Sequence, residues 1–103
     1  MGDLIRVASV SNIPSGTAKI VSVAGERIAV FNVSGTFYAL NNTCLHKGGP
    51  LGEGIINEEA CTVECPWHGW TYKLKNGEKV GDASKKVRTY AVKLQGSEVF
   101  VEA

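Results

Sequence analysis

The chain is poor in the residues from which catalytic sites are usually assembled. Its 103 residues contain only two histidines and three cysteines. No apolar run approaches the roughly 18 residues of a membrane span. The N-terminal stretch MGDLIRVASVSN carries Asp3 and has no apolar core long enough for a signal peptide. Arg6 stands where a myristoylation motif would need Ser or Thr. These absences give the expectation of a cytoplasmic chain with no membrane partner. Neither charge sign is in surplus: eleven Lys and Arg face ten Asp and Glu, for a net charge of +1. No basic run is interleaved with aromatics, so nothing points to nucleic acid. Lys73, Lys75, Lys79, Lys85 and Lys86 form a loose basic stretch, read as a solvated hairpin face that could also steer an acidic redox partner. The glycines between Gly48 and Gly54 lack the spacing and the strand-to-helix context of a dinucleotide fingerprint.

What the sequence does hold is concentrated. Cys44-x-His46 and Cys65-x-x-His68 are separated by residues 47–64 and use both histidines and two of the three cysteines. Two thiolates and two imidazoles make a complete four-ligand metal set, with nothing left for a second site. A Cys65–His68 nucleophile pair is the weakest reading of these residues. A zinc site is a stronger competitor, because Cys2His2 is also a common tetrahedral zinc set. Zinc fingers, however, pair Cys with Cys and His with His, and carry the second pair on a helix. Here each half supplies one of each, in loops rich in Gly and Pro. Cys61, the remaining thiol, is expected in a strand as a small buried hydrophobe.

The rest of the chain reads as short strands and turns in a single domain, 1–103. Strands are expected over residues 4–7, 17–23, 27–33 and 36–40, with turns at 12–16 and Ala24-Gly25 and a tight hairpin at Ser34-Gly35. Residues 55–59 suggest a turn. Strands over 60–64 and 70–74 deliver Cys65 and leave His68. Asn76-Gly77 predicts a type I′ hairpin whose return strand is 78–80. A last hairpin joins 87–94 to 98–101 around Gln95-Gly96-Ser97. No helix is expected. Strands with turns every 8–12 residues indicate an all-β antiparallel sandwich or barrel.

The ligand motif, followed by Gly48-Gly49-Pro50-Leu51 in one half and Gly69-Trp70 in the other, resembles the Rieske iron–sulfur signature over about residues 31–72. The resemblance implies one [2Fe-2S] cluster, with Cys44 and Cys65 on one iron and His46 and His68 on the other. It implies a small cluster-binding subdomain, about residues 41–75, formed by the two ligand loops. A diferric cluster with two thiolates is formally neutral, so it accepts an electron more readily than a four-cysteine cluster. Histidine ligands that titrate couple that electron to a proton at alkaline pH, and they offer the electron its exit route.

Around the cluster, the resemblance assigns supporting roles to Gly48, Gly49, Trp67, Gly69, Trp70 and Tyr72. The glycines let the backbone approach and present N–H donors. High-potential relatives bridge the two loops with an extra disulfide; the corresponding positions here are Gly49 and Trp67, so that bridge cannot form. Their serine after the second histidine is Trp70 here, and their tyrosine is retained as Tyr72. A potential in the lower part of the roughly −150 to +300 mV Rieske range is expected.

With no spare histidine for a mononuclear iron, the resemblance implies an electron carrier rather than an enzyme. It implies a monomeric ferredoxin shuttling electrons from an NAD(P)H-dependent flavoprotein reductase to a terminal oxygenase or other oxidoreductase. Leu45, Pro50, Leu51 and Trp67 are the expected docking residues. Two alternatives stand beside this reading. One is a Rieske-like small subunit of a larger redox enzyme such as nitrite reductase. The other is a zinc-stabilised structural β-module.

Overall fold

The computed structural model describes residues 3–45, 48–67 and 69–102. Every strand pairing in it is antiparallel. The first four strands are β1 (Leu4–Ser9), β2 (Thr17–Val23), β3 (Glu26–Val33) and β4 (Thr36–Asn41). The next five are β5 (Ile55–Asn57), β6 (Thr62–Glu64), β7 (Thr71–Lys73), β8 (Glu78–Lys79) and β9 (Asp82–Lys86). The chain ends with β10 (Thr89–Tyr90), β11 (Val92–Gln95) and β12 (Glu98–Glu102). They form three sheets, ordered β1-β12-β11, β10-β4-β3-β2 and β5-β6-β7-β8-β9.

The four-stranded sheet lies between the other two, and β3 shows why. Its residues from Ile28 to Val33 are all buried. Ala29, Phe31 and Val33 face a core shared with Cys44, Val63, Cys65, Tyr72 and Leu74. Ile28 and Val30 face the opposite core with Ala8, Ile13, Val99 and Val101. Period-two alternation thus feeds two hydrophobic layers from one strand. The one polar residue in this run, Asn32, donates to the Ile13 carbonyl at 2.7 Å and accepts from the Gly35 N–H at 2.8 Å. Both flanking hairpins close with two residues at positive φ, Ala24-Gly25 (52° and 83°) and Ser34-Gly35 (51° and 90°), the type I′ geometry that matches strand twist.

Five expectations are corrected. Residues 55–57 form edge strand β5 rather than a turn; three residues are too few to display an alternation. Cys61 lies in the β5–β6 turn at φ 56°, half-buried, with its carbonyl accepting from the Leu74 N–H, and not in a strand. There it lies beside the Tyr38 phenol, whose pKa is pushed upward by the neighbouring thiol and by burial. Asn76-Gly77 is not a type I′ turn, since Asn76 keeps negative φ. Leu74 is drawn into the core, and a wider turn closes by the Gly77 N–H donating to the Lys73 carbonyl at 2.8 Å. The expected strand 87–94 is broken at Ala91, with β10 pairing to β4 and β11 to β12.

Leu51 departs furthest from expectation. It opens a 3-10 turn (Leu51–Glu53), is 0% exposed and belongs to the core that holds both cysteines, so it cannot be a docking residue. Leu51→Ala is expected to cost about 2–5 kcal/mol of stability, while Leu45→Ala at the surface costs less than about 1 kcal/mol. Urea unfolding of both variants checks this; equal losses would contradict the burial assignment.

Candidate metal centre

Two loops present the cysteines, and they share one backbone frame. In the first, the Cys44 N–H donates to the Gly49 carbonyl at 2.9 Å, and the Gly48 N–H donates back to the Cys44 carbonyl at 2.9 Å. In the second, the Cys65 N–H donates to the Trp70 carbonyl at 2.7 Å, and the Gly69 N–H donates back to the Cys65 carbonyl at 3.2 Å. The returning glycines hold φ of 73° and 77°, a conformation that a side chain would strain. Each cysteine therefore opens a six-residue loop of the same form. His46 is the third residue of its loop and His68 the fourth of its own. Both histidines lie outside the described residues.

The supports of the loops differ. The second is the hairpin connection of β6 and β7, in register through Glu64 and Thr71. The first leaves β4 through Asn42, which is buried. Asn42 donates its N–H to the Arg27 carbonyl, accepts from the Leu51 N–H on its carbonyl, and accepts from the Gly52 N–H on Oδ1 at 2.7 Å. It clamps both ends of the loop to the central sheet. Sequence reading missed Asn42. Its only signal was a polar residue between a hydrophobic strand and the first ligand.

The two loops meet at Gly49. A Cβ at this position would lie 2.7 Å from the Cys65 Sγ and 3.1 Å from the Trp67 ring. Position 49 must be empty for the second cysteine to sit where it does. The two positions expected to lack a bridging disulfide are thus filled by an aromatic ring lying against a glycine. No disulfide joins any of the three cysteines.

Cys44 and Cys65 are each 2% exposed. Tyr72, on β7, reaches under the first loop, with its Oη 3.3 Å from the Cys44 Sγ and accepting from the Leu45 N–H at 3.1 Å. The Leu45 N–H occupies one lone pair of the oxygen, and against a Cys44 thiolate, which has no hydrogen to give, the phenol is the donor. Burial, and then the Cys44 contact, push the Tyr72 phenol far above the usual tyrosine range, and the charge on either thiol would raise it further. Tyr72 therefore stays a donor at any physiological pH. Trp70 is half-buried, with the Lys79 ammonium 4.8 Å over its ring.

Of the expected docking residues, Leu45 and Trp67 are 49% and 57% exposed and Pro50 is half-buried. Two buried cysteines that both act on the Tyr72 phenol, with a side-chain-free cradle at Gly49, fit a thiolate-ligated metal or iron–sulfur group.

Comparison with known proteins bears on which group. The family model of the Rieske [2Fe-2S] domain matches residues 3–91. The ferredoxin subunit of 3-phenylpropionate/cinnamic acid dioxygenase from Shigella boydii serotype 4 is 36% identical over 99 residues, 95% of this chain and 92% of that one. The solved ferredoxin of carbazole 1,9a-dioxygenase from Nocardioides aromaticivorans superimposes with a TM-score of 0.89 at 27% identity, covering 96% of each chain. The ferredoxin fold is matched again in a solved complex of reduced oxygenase and oxidized ferredoxin of carbazole 1,9a-dioxygenase, with a TM-score of 0.87 at 28% identity over 96% of this chain and 92% of that one.

On a redox centre held by a Cys44 thiolate, Tyr72→Phe would remove a hydrogen-bond donor and so weaken the more negative, reduced state. The midpoint potential is expected to fall by tens of millivolts, at about 59 mV per tenfold change in the one-electron equilibrium. Protein-film voltammetry measures it; an unchanged or higher potential would show that the hydroxyl does not favour the reduced state.

Proposed function

The chain belongs to the Rieske [2Fe-2S] domain family, and from that footing we propose that it carries single electrons on one cluster held by Cys44, His46, Cys65 and His68. It is an electron-transfer protein rather than a catalyst. The observation that carries the ligand assignment is the matched pair of loops, each opening on a buried cysteine and each containing one of the chain's two histidines. When bound, such a cluster supplies a one-electron couple whose potential is raised by histidine ligation.

The chain's own residues supply the rest. Cys44 and Cys65 hold their side of the site away from water. Tyr72 donates to Cys44, and Gly49 admits Cys65. Trp67 lies over Gly49 and shields that junction. Leu45 and Trp67 immediately precede His46 and His68, so the exposed apolar surface lies beside the proposed electron exit. Transient redox contacts are small, and two such side chains with the half-buried Pro50 suffice to begin one.

We take the donor to be an NAD(P)H-dependent flavoprotein reductase and the acceptor a terminal oxygenase. The dioxygenase ferredoxin subunits among its relatives support this, as does the oxygenase–ferredoxin complex of carbazole 1,9a-dioxygenase. Among the described residues no helix is long and apolar enough to cross a membrane. Cys61, the one cysteine outside the proposed ligand set, is in no disulfide, which supports a reducing, cytoplasmic site of action.

Visible and EPR spectra of the purified protein, oxidised and dithionite-reduced, test the proposal with iron and sulfide analysis. The expected result is a brown protein with two irons and two acid-labile sulfides per chain, a reduced signal with average g below the free-electron value, and a midpoint below about +200 mV. A colourless, EPR-silent protein carrying stoichiometric zinc after growth in iron-replete medium would overturn it in favour of a structural module.

A further inference from the structure

We infer that the protein receives its redox partners on the Cys44 side of the cluster tip, where a basic hollow fits a protein surface bearing carboxylates around an apolar contact. This rests on the electron-carrier reading above and adds to it a face, a charge sign and an orientation.

The net charge of +1 conceals a segregation. Residues 71–88 carry Lys73, Lys75, Lys79, Lys85, Lys86 and Arg88 against only Glu78 and Asp82, so the remainder of the chain is net acidic. The fold brings the end of this basic segment to the first ligand loop and holds it there. The Val87 N–H donates to the Gly77 carbonyl at 2.9 Å, and the Arg88 carbonyl accepts from the Asn41 N–H at 2.8 Å, three residues before Cys44. Val87 is buried between them, which leaves Lys86 and Arg88 exposed on either side.

The result is a surface hollow of about 210 Å³ with Cys44, Leu45, Lys86 and Arg88 in its wall. Arg88 is paired with Glu26 at 3.3 Å yet keeps 63% of its side chain exposed. Lys86 has no such carboxylate within 4 Å among the described residues. An apolar side chain, two cations and a cluster cysteine thus share one concavity.

The other loop is of mixed charge, with the Lys79 ammonium 4.8 Å over its Trp70 ring at one end and a carboxylate at the other. Glu64 is exposed beside Cys65, with its carboxylate 3.7 Å from where a Cβ on Gly69 would stand. A partner with carboxylates is drawn toward Lys86 and Arg88 and repelled by Glu64 beside Cys65, which orients it before contact. The hollow is small and open, so it suits a brief encounter rather than a permanent interface.

Small redox ions of opposite sign probe this field without any partner protein. The dithionite-reduced holoprotein is mixed in a stopped-flow instrument with hexacyanoferrate(III) or with hexaammineruthenium(III). In each case one electron leaves the protein and reduces the metal ion. A change in driving force moves both rates the same way, whereas a local field moves them in opposite ways, so the ratio of the two rates is the readout.

In Lys86→Glu the anion-to-cation rate ratio is expected to fall by about threefold or more at low salt, and the difference from the parent protein to shrink as ionic strength rises. Lys93→Glu, on β11 in the sheet that contributes to neither ligand loop, is expected to leave the ratio within error of the parent. A ratio unmoved by Lys86→Glu, or moved as far by Lys93→Glu, overturns this inference while the carrier reading stands. A protein with no reducible iron overturns both.

Discussion

Everything at this site depends on the close approach of two loops, which in this chain is made by the Trp67 ring and the Cys65 sulfur closing on a residue without a side chain, Gly49. The Cys65 sulfur and the Trp67 ring occupy the space a Cβ would take. With Trp67 in its present place a side chain there would meet the Cys65 sulfur near 2.7 Å, well inside van der Waals separation, and would displace one of the two loops. The rest follows as support. Asn42 fixes the first loop to the central sheet, the β6–β7 hairpin fixes the second, and Leu51 and Tyr72 fill the space beneath. This is preorganisation in its simplest form, with the two cysteines positioned by residues that are themselves locked by packing and hydrogen bonds.

The layering explains how so small a chain sustains such a site. A domain near 100 residues has little core to spare. Here β3 serves two cores at once, one shared with the ligand loops and one with the terminal strands. The cysteines are thus part of the larger hydrophobic cluster, and the stability of the ligand loops is tied to that of the whole fold. A bound metal group would stabilise the same layer through its ligands.

Much of this could be read in the sequence, for identifiable reasons. The spacing of Cys44, His46, Cys65 and His68 is a local pattern and needed no fold to be seen. The long strands β2, β3 and β4 announced themselves by composition, and Ser34-Gly35 by its turn chemistry. What escaped was set by tertiary context. Asn76-Gly77 has the composition of a tight hairpin, yet burial of Leu74 widens the turn. Leu51 sits in the ligand motif and reads as a surface residue, but the 3-10 turn rotates it into the core. Asn42 is one of two adjacent asparagines, and only the fold shows which one clamps the loop. Cys61 was expected in a strand, and a left-handed turn residue there has no signature short of glycine or asparagine. The matching frames of the two ligand loops are hydrogen-bond patterns, to which sequence spacing alone gives no access.

The central claim is that two histidines and two cysteines hold one two-iron cluster. Pulsed EPR of the reduced protein addresses it directly, because it detects nitrogen nuclei bonded to the paramagnetic centre. The account predicts two distinct, strongly coupled ¹⁴N nuclei in the parent protein and the loss of one in each of His46→Cys and His68→Cys variants that retain iron. A reduced centre without strongly coupled nitrogen, or one whose nitrogen couplings survive both substitutions, would contradict it.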